Sequence, residues 1–85
     1  MTKKNRPIRR KVYLTFPGKK TKEPILCDMY DRCGVRFNIR SASVTDQVGL
    51  MALELEGTGA QMKKAFDYFR KRGVMVEPIE INVIE

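Results

Sequence analysis

The sequence predicts an α+β domain of order βαββαβ, a four-stranded antiparallel sheet with two helices on one of its faces. Three observations carry that expectation. Strand-like segments alternate apolar and polar residues with a period of two, as in "RKVYLTF" (residues 10–16). Two intervening segments instead repeat their apolar residues at helical spacing. The two halves also echo each other, since "RCGVRFN" and "KRGVMVE" each mark a helix end, a glycine and a Val-led strand, 39 residues apart.

Taken in order, Val12, Leu14 and Phe16 make the buried side of the first strand, which Pro17-Gly18 ends. A helix is predicted over 22–33, with Thr21 as its cap and Pro24 in the first turn. It buries Ile25, Leu26, Met29, Tyr30 and Cys33, and Gly34 stops it. "VRFNIRSASV" (residues 35–44) is the second strand, with Val35, Phe37 and Ile39 on one side and Arg36, Asn38 and Arg40 on the other. A turn over Asp46, Gln47, Val48 and Gly49 leads into the third strand, where Met51, Leu53 and Leu55 oppose Ala52, Glu54 and Glu56. Thr58 to Gln61 fits a capping box, in which hydroxyl and amide satisfy each other's free backbone donors. The helix it opens buries Met62, Ala65, Phe66 and Phe69 and closes at Gly73. "GVMVEPIEINVIE" (residues 73–85) is the last strand, bent or bulged at Pro78, which cannot donate to a ladder and so favours an edge. Right-handed crossovers then leave one economical arrangement, a ferredoxin-like sheet in the order 4-1-3-2. The strand bearing Asn38 becomes an edge, and Asn38 points to the face the helices leave uncovered.

Composition narrows the function. At 85 residues the chain is one small domain, near the lower size limit for folding alone, so a dimer is expected. The formal charge of +7 belongs to one end: residues 1–22 hold nine Lys or Arg and no acid, whereas residues 23–85 hold eight basic and ten acidic residues. Residues 1–8 are read as a basic flexible arm and 9–85 as the domain, the sharper alternative for the arm being phosphate or RNA contact. With no histidine and only Cys27 and Cys33, neither a zinc site, a catalytic dyad nor an iron–sulfur cluster can be assembled. The cysteines read as small buried hydrophobes in a reducing cytoplasm. No apolar run approaches the roughly 20 residues of a membrane span, and no signal-peptide core is present. Ser41 and Ser43 have no histidine to activate them, and Asp28 and Asp31 read as solvated helix-flank residues, so no enzyme is predicted.

The second strand remains. Arg36 and Arg40 suffice as charges that blunt an exposed edge. They do not account for Asn38, a poor strand former set between Phe37 and Ile39, nor for the small residues Ser41, Ala42 and Ser43 that follow. Those features suit an edge that pairs with a second copy and holds a small polar ligand in the seam.

At these residues the chain resembles the NIL domain family. "FNIR" after "CGV", preceded by "VYLTFPG" and followed by "LMALELEGT" and "KRGVMVEPI", matches the family's order and spacing from Arg9 to Ile81. The Asn-Ile-Leu tripeptide behind the family's name reads Asn38-Ile39-Arg40 here. The resemblance implies an ACT-like regulatory module of the kind found at the C-terminal end of bacterial methionine-importer ATPases, where L-methionine binds between two copies. Other members are linked to sulfur amino-acid assimilation. Because the chain has neither a Walker A sequence nor a cysteine array, it is similar to the stand-alone kind.

Carried over residue by residue, the resemblance makes Asn38 the ligand's polar contact, since an amide both donates and accepts. Ala42 and Val44 become the apolar wall, expected on the same face as Asn38. Arg40 stands where the family has leucine, and a guanidinium there either clamps a carboxylate or fills the slot a thioether needs. The expected function is a non-catalytic module binding an amino acid such as L-methionine at a homodimer interface. The alternatives are an accessory subunit docking a sulfur-assimilation enzyme, and an RNA-binding module. The last is disfavoured because Tyr13 is the best stacking residue on the open face, while Glu54 and Glu56 repel phosphate.

Overall fold

The computed structural model describes residues 6–79 and has the expected architecture. Strand β1 (Ile8–Pro17) is followed by a 3₁₀ turn (Gly18–Lys22), α1 (Ile25–Cys33), β2 (Arg36–Val44), β3 (Val48–Gly57), α2 (Gly59–Lys71) and β4 (Met75–Pro78). All neighbours are antiparallel in the order β2-β3-β1-β4, which is the 4-1-3-2 arrangement. β1 and β3 pair along their full lengths, from Ile8 opposite Gly57 to Pro17 opposite Val48. β2 and β4 form the two edges. Pro78 lies at the end of an edge strand, where its missing N–H costs least.

One core lies between the sheet and the two helices. Val12, Leu14 and Phe16 of β1 and Leu53 and Leu55 of β3 meet Ile25, Met29 and Cys33 of α1 and Met62, Ala65 and Phe69 of α2. Burial follows the two-residue period along both central strands, which is why both helices share one face. The opposite face, built from Arg9, Lys11, Tyr13 and Thr15 of β1 and Leu50, Ala52, Glu54 and Glu56 of β3, carries no helix.

The helix ends follow local chemistry. Thr58 and Gln61 form the capping box, the Gln61 amide N–H donating to Thr58 Oγ1 at 3.1 Å and the Thr58 amide N–H to Gln61 Oε1 at 2.8 Å. Gly34 ends α1 at φ 73°, a left-handed conformation that disfavours other residues.

The start of α1 corrects the sequence reading. The helix begins at Ile25 rather than Lys22, because a residue before proline is pushed from helical to extended backbone, and Glu23 indeed lies at φ −96°, ψ 142°. Thr21 is therefore no cap. It belongs to the 3₁₀ turn, where its hydroxyl donates to the Gly18 carbonyl at 2.8 Å. On α1, Tyr30 and Cys27 are exposed, and Phe66 on α2 is only half-buried. The β2–β3 turn also falls earlier than expected. Thr45 Oγ1 accepts from the Gln47 and Val48 amides at 3.1 Å, so Val48 and Gly49 already belong to β3. Residues 1–5 of the basic arm and 80–85 of the predicted last strand lie outside the described residues.

Arg72, which caps α2, ties that helix to the 3₁₀–α1 junction. It donates to Glu23 Oε1 and to the Tyr68 hydroxyl and lies 3.6 Å from Asp28 Oδ2. Asp28 is thus an ion-pair partner rather than merely solvated. The hydrogen bond from Arg72 is the main cause holding the Glu23 carboxyl below its ordinary value of 4.5, with burial opposing and Lys20 assisting. A lowered folded-state pKa contributes stability that is present above the unfolded value and lost as pH falls through the folded one. The melting temperature of the wild type is therefore expected to fall more steeply below pH 4.5 than that of Glu23→Gln. Parallel melting curves from neutral to acid pH would show the contact to be inert.

Candidate functional site

The candidate site is the free edge of β2. Among the described residues this strand pairs only with β3, from Arg36 opposite Glu56 to Val44 opposite Gly49, so its other side offers backbone groups without a partner among them. Of its residues only Phe37 is even partly buried.

A β-bulge divides the strand. Ile39 stands opposite Leu53, but Ser41 already stands opposite Ala52, leaving Arg40 as the extra residue. Because facing residues in an antiparallel pair share a side of the sheet, the phase of β2 switches there. Before the bulge, Arg36 and Asn38 lie on the open face opposite Glu56 and Glu54, while Phe37 and Ile39 face the helix side. After it, Ser41 and Ser43 take the open face, and Ala42 and Val44 turn to the helix side opposite Met51 and Gly49. Arg40 stays on the open face, its guanidinium 3.7 Å from Glu54 Oε1.

This geometry corrects the expectation that Asn38, Ala42 and Val44 share one face. Asn38 and Arg40 are brought together, as are Ala42 and Val44, but the two pairs are on opposite sides of the sheet. Unbroken alternation carries Asn38 to Val44 without a change of side, and nothing local in "NIRSASV" announces the extra residue.

Each side has its own cleft. On the helix side, Val44 borders a cavity of about 210 Å³ walled by Phe16, Ile25, Leu26 and Met51, with Lys20 and Glu23 at its rim. Those two rim residues form an ion pair at 3.6 Å. Val44 and Ile39 are 54% and 47% exposed, so the apolar surface continues to the strand's edge. On the open face, a polar cleft of about 350 Å³ is lined by Arg9, Arg36, Asn38, Glu54 and Glu56. Beside it a shallow groove of about 400 Å³ runs past Tyr13, Ser41, Ser43, Leu50 and Ala52. The placement of Lys20 and Glu23 at the helix-side cleft escapes a reading of the sequence, which puts Lys20 in a surface turn and Glu23 in the first turn of the predicted helix.

Other chemistry is sparse. The Cys33 thiol is pushed up by burial, against the pull of Lys64 and Arg32, and is therefore a protonated core residue. Among the described residues, no group of three or more His, Cys, Asp or Glu could hold a metal ion, and no helix is long and apolar enough to cross a membrane.

The family model of the NIL domain matches residues 10–78. The chain belongs to the NIL domain family. Its relatives include the methionine import ATP-binding protein MetN of Desulfitobacterium hafniense (strain Y51), 33% identical over 73 residues that take in 81% of this chain and 22% of the relative. Another is the L-aspartate semialdehyde sulfurtransferase iron-sulfur subunit of Methanocaldococcus jannaschii, 31% identical over 70 residues, 82% of this chain and 53% of that subunit. This NIL domain thus spans about a fifth of the importer protein and about half of the iron-sulfur subunit. Among solved structures, the C-terminal domain of an ABC transporter / ATP-binding protein from Enterococcus faecalis shares the fold, with a TM-score of 0.74, 23% identity and 86% of each chain covered.

Proposed function

We propose that this NIL domain is a non-catalytic regulatory module that binds an amino acid, L-methionine or a related sulfur metabolite, where two copies pair through β2. The observation that carries the reading is the apolar cleft that reaches the free strand edge at Val44. Its volume of about 210 Å³ suits one unbranched apolar side chain, and the Lys20–Glu23 pair at its mouth offers one charge of each sign to a zwitterion. A second copy laid along β2 covers Val44 and Ile39 and closes the cleft's open side. The small Ala42 lets that strand come close, while Asn38 and Arg40 serve the polar side of the same seam. Relatives named for methionine import and for a sulfurtransferase subunit point to the same ligand class. The proposed setting is the cytoplasm of a bacterium, where Cys27 and Cys33 stay free thiols.

Calorimetric titration with L-methionine and with homocysteine tests this. The wild type is expected to bind one of them at each dimer seam. Val44→Arg, which fills the cleft from an exposed position, should weaken binding by more than about tenfold, and Asn38→Ala should weaken it through the seam. Binding unchanged in Val44→Arg would contradict the seat.

A second reading rests on the same edge. A nine-residue strand paired on one side only leaves an edge to which an extended peptide can add as a further strand, so the module would dock a partner enzyme of sulfur assimilation. Silence from every amino acid, with the edge still required for a protein contact, would favour it. RNA is disfavoured by Glu54, Glu56 and Glu77 on the strand faces an RNA would approach and by Tyr13 as the aromatic exposed there.

A further inference from the structure

The rim of the Val44 cleft is held from behind by α2. Glu23 turns its two carboxylate oxygens to different partners. Oε1 accepts from the Arg72 guanidinium, whereas Oε2 faces the Lys20 ammonium at 3.6 Å, beyond ordinary hydrogen-bond length. One oxygen is therefore committed to the end of α2, and the other is left for the cleft that Lys20 and Glu23 border.

Arg72 is itself pinned. It donates to the Tyr68 hydroxyl, lies 3.6 Å from Asp28 Oδ2 and has its guanidinium carbon 5.5 Å from the centre of the Tyr68 ring. The next residue, Gly73, flanks the Lys20 side chain, since a Cβ added there would meet Lys20 Cε at 3.6 Å. The end of α2 thus borders both charges at the cleft's mouth without lining the cleft itself.

Such a mouth suits a ligand that carries both charges. An α-ammonium group against Glu23 Oε2 and an α-carboxylate against Lys20 Nζ complete a square of alternating charge, in which each group has two neighbours of opposite sign. Without Arg72, Lys20 is the ion-pair partner left to Glu23 among the described residues. The two side chains then close on each other instead of on a ligand.

We propose that the cleft selects a free α-amino acid by its ammonium group, with Glu23 as the contact for that group, Lys20 for the carboxylate, and Arg72 as the positioning residue that keeps Glu23 open to it. The inference rests on the amino-acid seat given above and adds which groups of the ligand that seat requires. A compound with the same side chain and carboxylate but no ammonium is rejected, because it sets its negative charge beside a Glu23 oxygen that has gained no cation.

Calorimetric titration with L-methionine beside 4-(methylthio)butanoate, and with L-homocysteine beside 4-mercaptobutanoate, is the test. The second member of each pair is the first without its ammonium group. The wild type is expected to prefer the amino acid by at least about tenfold, the scale of one charge-assisted hydrogen bond. In Glu23→Gln and in Arg72→Met that preference should shrink by about tenfold. Arg72→Lys, which keeps a cation but not the planar fork, should fall between wild type and Arg72→Met, and it carries the same comparison if Arg72→Met does not fold. A merely structural role for Arg72 would weaken both members of a pair alike and leave their ratio in place. An undiminished preference in Glu23→Gln, or in the Arg72 variants, overturns the proposal, as does a wild type that binds both members equally. Each of these results leaves the seat itself standing. A wild type that binds neither amino acid would overturn the seat and this inference together.

Discussion

Phe69→Ala is expected to cost about 3–5 kcal/mol of stability. Phe69 is fully buried and is among the largest of the buried side chains, placed where α2 meets the core strands. Removing its ring leaves a void that helix and sheet cannot both close. Native domains have about 5–15 kcal/mol in total, so the loss takes from about a fifth to all of the stability. At about 4–8 °C per kcal/mol, the melting temperature should drop by more than about 12 °C. Thermal melting followed by circular dichroism reads this directly. Tyr30→Ala, at a residue 52% exposed, is the control and should stay within about 0.5 kcal/mol of wild type. A loss below about 1 kcal/mol for Phe69→Ala would mean that α2 does not pack as described.

Ile39→Lys is expected to separate the two copies without unfolding either. Ile39 lies on the helix side of the free edge and is 47% exposed in the isolated chain, so the substitution alters the seam far more than the core. Covering an isoleucine is worth about 1.5–3 kcal/mol at full burial, and lysine on an edge is the ordinary device against strand pairing. A two-fold interface counts each change twice. The dimer dissociation constant should therefore rise by at least about 100-fold, with the melting temperature of the monomer little changed. An Ile39→Lys protein that still forms dimers as tightly as wild type would place the contact elsewhere.

Most of the fold is legible in the sequence because it depends on local rules. Alternation in "VYLTF" and "LMALELEG" marks the central strands, Gly34 and Gly73 adopt the left-handed backbone at φ 73° and 83°, and Thr58 with Gln61 caps α2 as its residues require. The start of α1 is a local feature too, readable from the constraint that Pro24 places on Glu23. The bulge at Arg40 is different. It is a property of how β2 lies against β3, and it decides which residues of the candidate site share a side. Asn38 and Val44 are six residues apart in sequence, yet one extra residue between them puts the sheet between their side chains. Likewise, the contact of Arg72 with Glu23 joins positions 49 apart and has no signature in either neighbourhood.

The central claim is that the β2 edge of this NIL domain is a seam between two copies with a ligand seat beside it. The most direct measurement is sedimentation of the wild-type chain with and without L-methionine, beside Ile39→Lys. The account predicts twice the mass of the 9.8 kDa chain, a dimer tightened by methionine, and a monomer for the variant in both conditions. A wild type that sediments as a monomer with and without the amino acid would contradict it.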